Sequence, residues 1–440
     1  MRVSTRRRTL AIAAICAALS APLGAAQADV LFENVTLIDG TGNQPLAGAS
    51  VLVKGDQIDV VSAGPIKHDR GVQVVDGKGK FLMPGLIDSH VHIGANKITD
   101  ANSAEQHLWG VQALQSYIYT GVTSIYDSGN VADYMFKLRD EERAGKFLSP
   151  RVFASGTTVG APTGYGATPR AMQVIEWDKA KPVLEAYFRD RKPDLQKIVI
   201  DRHNFPIDNL TKVVRLANEY GIRTTVHATA EEDYNDALAA HVDEFAHQIR
   251  SEVSAPMVRL LATRKIPMST TAAVFGYIER IGDDASFLDQ PLWKNAVNAD
   301  IITAQKGPER QRYIESGMSA NFKKTNHIAL GNAKKLHDAG AVLAAGTDRG
   351  WGPALHMELE LLHGAGISLL DITRIATLNN AIYLGRENDL GSIQRGKLAD
   401  LLLLNADPTK DVKNFQAIAA VYKGGEKVDM TKLDIPANKK

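Results

Sequence analysis

Eight short apolar runs punctuate the middle of the chain: LIDSHVHI, VTSIYDS, RVFASG, QKIVID, RTTVHAT, DEFAHQ, KIPMSTT and AVLAAGTD. Between most of them lies helical sequence such as AEQHLWGVQALQSYIY, NLTKVVRLANEYG and NHIALGNAKKLHDAG. Short strands that alternate with helices build parallel sheets covered on both faces. Eight such units restrict the middle of the chain to an α/β fold, expected as a (β/α)8 TIM-like barrel. The stretch after DEFAHQ is the poorest helical match. Residues 273–318 form an unusually long connection between the seventh and eighth strands. A long βα connection sits on the catalytic face of a barrel, so this segment is the candidate active-site lid.

The flanks have a different texture. VLFENVTLIDG, ASVLVKGDQIDVV and VQVVDGKGKFL alternate as short strands with Gly or Asp at each reversal, and ADLLLLNAD and IAAVYKGGEKV repeat the pattern at the far end. Residues 29–82 and 388–440 are therefore expected to form one composite β-sandwich domain, enclosing a barrel at 83–387. The first 28 residues read differently again. MRVSTRRR carries four arginines and no acid, an apolar Ala-rich stretch follows, and AQA precedes Asp29. These are the parts of a cleaved signal peptide, and the apolar run is too short for a comfortable membrane span. TRRRTL loosely resembles a twin-arginine signal, so the export route is open. The only cysteine, Cys16, lies in this leader, so the mature chain has no disulfide and no thiolate ligand.

Removing the leader leaves 47 basic residues (51 less four) against 50 acidic, changing the formal charge from +1 to about −3. That excludes a basic field for nucleic acid, and no later segment would span a membrane. The expectation is an exported protein, periplasmic or secreted, acting on a small molecule, with self-association left open.

Parity then singles out polar residues where a barrel strand should be apolar. His90 and His92, two positions apart, both face inward from the first strand, and paired neutral imidazoles suit a divalent transition metal. In QKIVID, Ile198 and Ile200 face the helices, which turns Lys197, Val199 and Asp201 inward. An inward lysine is costly as a bare ammonium, unless it lies at the strand's surface end. His227, His247 and Asp348 close three further strands. A lone inward histidine is more often a satisfied core residue; four histidines, a lysine and an aspartate at the ends of five strands are a metal-site pattern. His203 shares the parity of Lys197 and is a candidate for the pocket wall.

PGLIDSHVHIG, GVTSIYDSG, VHA, AGTD, ATLNNAIYLG and GSIQRGKLADLLLL together resemble the amidohydrolase superfamily of metal-dependent hydrolases, across nearly the whole mature chain. The resemblance implies two divalent metal ions, with zinc the first choice. His90, His92 and Asp348 would hold one, His227 and His247 the other, and Lys197 would bridge them as a carbamate. It implies attack by a metal-bridging hydroxide, with Asp348 as the catalytic proton carrier. The set is most similar to the subgroup of Xaa-Pro dipeptidases and imidazolonepropionase-like enzymes, which implies an amide or peptide substrate of the dipeptide or N-acyl amino acid type. That subgroup often carries TGGHG after the third strand, where this chain has Tyr165 in GAPTGYGATP. Tyr165, His203 and Arg349 are the candidate substrate contacts, Arg349 for a carboxylate. Rival functions are a lactonase or ester hydrolase on the same site, a mononuclear deaminase or cyclic-amide hydrolase, and a scaffold that has lost catalysis. The deaminase reading is disfavoured by Ala230, which stands where a glutamate is common. The inactive scaffold is disfavoured because none of the six ligand residues is missing.

Overall fold

The computed structural model describes residues 28–94, 98–161, 163–164 and 171–439. Residues 1–27 of the expected leader, Cys16 among them, and Tyr165 lie outside the described residues.

The chain begins with strands β1 (Val30–Leu37), β2 (Leu46–Lys54), β3 (Gln57–Ser62), β4 (Gln73–Asp76) and β5 (Phe81–Pro84). An alternating unit follows: β6 (Leu86–Val91), α1 (Ala104–Tyr119), β7 (Val122–Asp127), α2 (Ala132–Arg143) and β8 (Arg151–Ala154). Two short strands, β9 (Val159–Gly160) and β10 (Met172–Gln173), precede α3 (Trp177–Arg191). Next come β11 (Leu195–Val199), α4 (Ile207–Glu219), β12 (Arg223–His227), α5 (Glu231–Ala239), β13 (Glu244–Ala246), α6 (Ala255–Arg264) and β14 (Met268–Ser269).

Each of the eight apolar runs contains one strand: β6, β7, β8, β11, β12, β13, β14 and finally β15 (Leu343–Ala344). They pair in parallel, as two ladders rather than one closed ring. One is β6-β7-β8 and the other is β10-β9-β11-β12-β13-β14-β15. Backbone bonds link the ladders where β15 meets β6, with Ser89 N donating to Ala345 O at 3.0 Å and Asp348 N to His90 O at 2.7 Å. On the other side Asp194 N donates to Ala154 O at 3.0 Å. Gly346 is needed at the first of these seams. A Cβ there would lie 2.1 Å from Ser269 Oγ and 2.8 Å from His90 Cβ.

The connection between β14 and β15 is helical rather than an open loop. It consists of α7 (Ala272–Asp283), α8 (Pro291–Ala296), α9 (Ala299–Ala304), α10 (Arg310–Glu315) and α11 (Met318–Asp338). Tyr277, Ile281, Leu288, Trp293, Ile301 and Tyr313 give it an apolar core of its own. Its first helix is anchored by Glu358, buried on α12 (Pro353–Gly364), which accepts from Thr270 Oγ1 and Ala273 N.

Strands from both ends of the chain share one sheet. β16 (Leu401–Leu404), β17 (Ile418–Lys423) and β18 (Glu426–Lys427) extend β5-β1-β2-β3, with β4 beside β1. The pairing makes one connected eight-stranded sheet, where the sequence led to a sandwich. Its apolar face packs Phe32 edge-on to Tyr422 at 4.8 Å within a cluster including Val51, Val53, Leu401 and Leu403. A forked ion pair fastens it to the parallel strands: Arg151 on β8 donates to both oxygens of buried Asp400, at 2.6 and 3.0 Å. No helix among the described residues is long and apolar enough to cross a membrane.

Burial pushes the Glu358 carboxyl up to about 7, from an ordinary 4.5. The folded chain thus binds this proton more tightly than the unfolded chain. Its stabilising contribution is complete below about pH 4.5 and is lost as pH rises through about 7. Wild type is expected to lose at most about 3 kcal/mol over that window relative to Glu358→Gln, which mimics the protonated acid. Denaturant unfolding of both proteins between pH 4.5 and 8 checks this; a stability difference independent of pH would contradict it.

Candidate metal centre

The polar residues picked out by parity meet at the carboxyl ends of the parallel strands. His90 is fully buried, and its ring centroid lies 5.2 Å from that of His92 and 4.8 Å from that of His247. His247 in turn lies 4.4 Å from His227. Lys197, 3% exposed, brings Nζ to 3.4 Å from His90 Nε2 and 3.2 Å from Ser128 Oγ. Asp348 Oδ1 is 3.2 Å from His92 Nε2 and 3.8 Å from His90 Nε2. All six expected ligand residues thus belong to one cluster.

Two of the rings are oriented from behind. His92 Nδ1 bonds to Gly129 O at 2.8 Å, and His247 Nδ1 to Thr271 Oγ1 at 2.8 Å. A histidine whose Nδ1 is engaged this way presents Nε2 to the cluster, the arrangement a metal ligand needs. His247 and Asp348 also adopt left-handed backbone, at φ +72° and +51°. Non-glycine residues hold that conformation when the surroundings impose it, and at both positions it re-aims a side chain at a strand end.

Burial governs the charges. The imidazoles of His90 and His247 are pushed well below their ordinary range, first by burial and then by neighbouring cationic groups. His227 falls to about 3, chiefly by burial and Lys197, and burial brings Lys197 down to about 7. Burial would raise the Asp348 carboxyl, but His92 and Lys197 outweigh it and hold it below the carboxylate range. His92 is the exception among the nitrogens: burial would lower it, but Asp348 outweighs burial and raises it.

That donor set suits divalent ions. Ligand atoms of His90, His92 and Asp348 lie within 4.8 Å of one another. Nitrogen and oxygen donors without sulfur fit zinc and its first-row neighbours.

Of the expected substrate contacts, Arg349 turns toward the helical connection, its guanidinium 3.9 Å from the Tyr277 ring centroid. His203 is half-exposed and bonds through Nδ1 to Asp236 Oδ2 at 2.5 Å, outside the cluster. Asp201 stays beside it in the same loop, its backbone N donating to Asn204 Oδ1.

Two buried aspartates escaped the sequence reading. Asp88 Oδ1 accepts from His90 N at 3.2 Å and Thr347 N at 3.1 Å, and Oδ2 accepts from Thr347 Oγ1 at 2.8 Å. One carboxyl thus clamps the strand carrying His90 to the turn carrying Asp348. Asp127 accepts from Ile93 N and Gly129 N, which fixes the carbonyl that orients His92. Asp88 shares the inward parity of His90, so a signal was available.

Parallel strands that deliver imidazoles and a carboxylate to one end are the architecture of metal-dependent hydrolases. The chain belongs to the amidohydrolase family, whose sequence pattern matches residues 81–428. It is a hydrolase of that family. It is 23% identical to ochratoxinase of Aspergillus niger over 424 residues, covering 89% of this chain and 84% of the relative. Imidazolonepropionase of Phocaeicola vulgatus is 22% identical over 398 residues, 86% of this chain and 90% of the relative. Among solved structures, a Xaa-Pro dipeptidase with methionine bound in its active site shares the fold. Its TM-score is 0.73 at 22% identity, covering 91% of this chain and 100% of that one.

Asp88→Ala should destabilise the protein by about 2–4 kcal/mol, because it strands the buried His90 N–H and the Thr347 hydroxyl and leaves Thr347 N with His90 O alone. Asp88→Asn keeps an acceptor for the N–H groups and should cost about half as much or less. Chemical denaturation of both variants tests this; equal stability of Asp88→Ala and wild type would refute the clamp.

Proposed function

We propose that this chain is an exported binuclear-metal amidohydrolase that cleaves an amide or peptide bond in a dipeptide-type or N-acyl amino acid substrate. The observation that carries the reading is the meeting of His90, His92, Lys197, His227, His247 and Asp348 at the ends of five parallel strands. We take the two ladders as segments of one (β/α)8 barrel at 83–387, with 29–82 and 388–440 as its companion β-domain and 273–318 as the cover of the site. Export rests on the N-terminal leader.

His90, His92 and Asp348 would hold one ion and His227 and His247 the other, with zinc preferred. Lys197 would serve both as a carbamate. With its ammonium brought down to about 7 by burial, a substantial share is free amine at neutral pH, the form that adds carbon dioxide. Divalent ions at this site supply a Lewis acid for the substrate carbonyl and acidify water. The chain's own residues do the rest. Asp348, ionised beside His92, takes the proton of the attacking water and returns it to the leaving nitrogen. Gly129 O and Thr271 Oγ1 keep the lone pairs of His92 and His247 aimed inward.

One observation favours a second reading. The compact three-residue group His90, His92 and Asp348 is sufficient for a mononuclear site, and imidazolonepropionase is among the relatives, so a one-metal cyclic-amide hydrolase is the alternative.

Lys197→Ala and Asp348→Asn should each lower kcat/KM for amide hydrolysis by about 10²–10⁴-fold, measured as amine release from a panel of dipeptides and N-acyl amino acids. A Lys197→Ala enzyme with undiminished activity would contradict the binuclear reading and favour the second.

A further inference from the structure

Arg250 lies three residues beyond His247, in the segment after β13, and the hydrolytic machinery does not use it. Its backbone N donates to Thr229 O at 2.9 Å, tying the segment that follows His247 to the one that follows His227. Two aromatic rings that meet edge to face at 5.2 Å pack against its guanidinium, whose carbon lies 3.9 Å from the Phe275 centroid and 4.4 Å from the Phe322 centroid. Nη2 donates to Thr325 Oγ1 at 3.0 Å.

The group lacks what a partly buried arginine ordinarily has. No carboxylate pairs with it among the described residues, and its pKa is drawn down to about 10 by burial alone. The two rings form a corner against the guanidinium, and among the described residues only Nη2 has an acceptor, which leaves donors for a further one. The rings and the bond to Thr325 restrain the side chain in advance, so less conformational freedom remains to be lost on binding. A guanidinium with donors to spare pairs with a carboxylate through charge-assisted hydrogen bonds. Arg349, the other arginine near the cluster, is already engaged by Tyr277 and Tyr313.

We propose that Arg250, packed against Phe275 and Phe322 beside His247, anchors a free carboxylate on the substrate and so selects carboxylate-bearing amides over neutral ones. The proposal rests on the amide-hydrolase reading above and assigns its substrate class to a particular side chain. If Arg250 were only a tie between the segment after β13 and helices α7 and α11, its loss would alter stability but not the choice between an anion and its neutral isostere.

Benzoate and benzamide make a matched pair of probes. Calorimetric titration of metal-loaded full-length wild type should show benzoate bound about tenfold or more tightly than benzamide. Arg250→Gln should lose most of that preference and leave benzamide affinity unchanged. Arg250→Lys, which keeps the charge but not the fork, should fall between, and it carries the test if the Gln variant does not fold. Equal benzoate affinity in wild type and variant would overturn the proposal, because the anion would then sit on the metals alone. Wild type without benzoate binding would overturn it too. Neither titration requires turnover, so a chain that binds benzoate through Arg250 yet hydrolyses no amide would contradict the proposed function alone.

Discussion

Four imidazoles and a lysine share one desolvated space, and that crowding governs the rest of the site. Water cannot stabilise positive charge there, so burial favours the uncharged form of each group. What remains is a set of ring nitrogens and an amine converging with the Asp348 carboxylate. A divalent ion would take up the lone pairs aimed at that space, and the surrounding structure holds them in place. Asp88 ties two strands together behind the cluster, Asp127 fixes the Gly129 carbonyl behind His92, and left-handed backbone turns His247 and Asp348 inward.

Much of this was legible in the chain because a strand alternates its faces. Once a run is read as a buried parallel strand, parity alone puts Lys197, His90 and His92 on the inner face. All eight runs do form strands, and the six chosen residues do meet. Asp88 was within reach of the same logic, but its function was not. Its partner Thr347 is 259 positions away, and only the folded seam between β6 and β15 reveals the clamp.

Long-range packing explains the other gaps. Residues 273–318 offer no turn pattern that distinguishes a loop from a chain of short helices, and their own core of Tyr277, Trp293 and Tyr313 decides the matter. That core also explains Arg349. Position beside Asp348 suggested a carboxylate contact, yet the nearby Tyr277 ring claims the guanidinium. Arg250 is the converse case. Nothing in IRSEVS distinguishes it from a solvated arginine until Phe275 and Phe322, from helices further along the chain, pack against its guanidinium.

The central claim is that this cluster is a binuclear metal centre with Lys197 between the ions. Metal content per chain, measured by mass spectrometry on protein purified without chelator, tests it most directly. About two equivalents in wild type, falling by one or more in Lys197→Ala, is the result the account predicts. One equivalent in wild type, unchanged in Lys197→Ala, would contradict it.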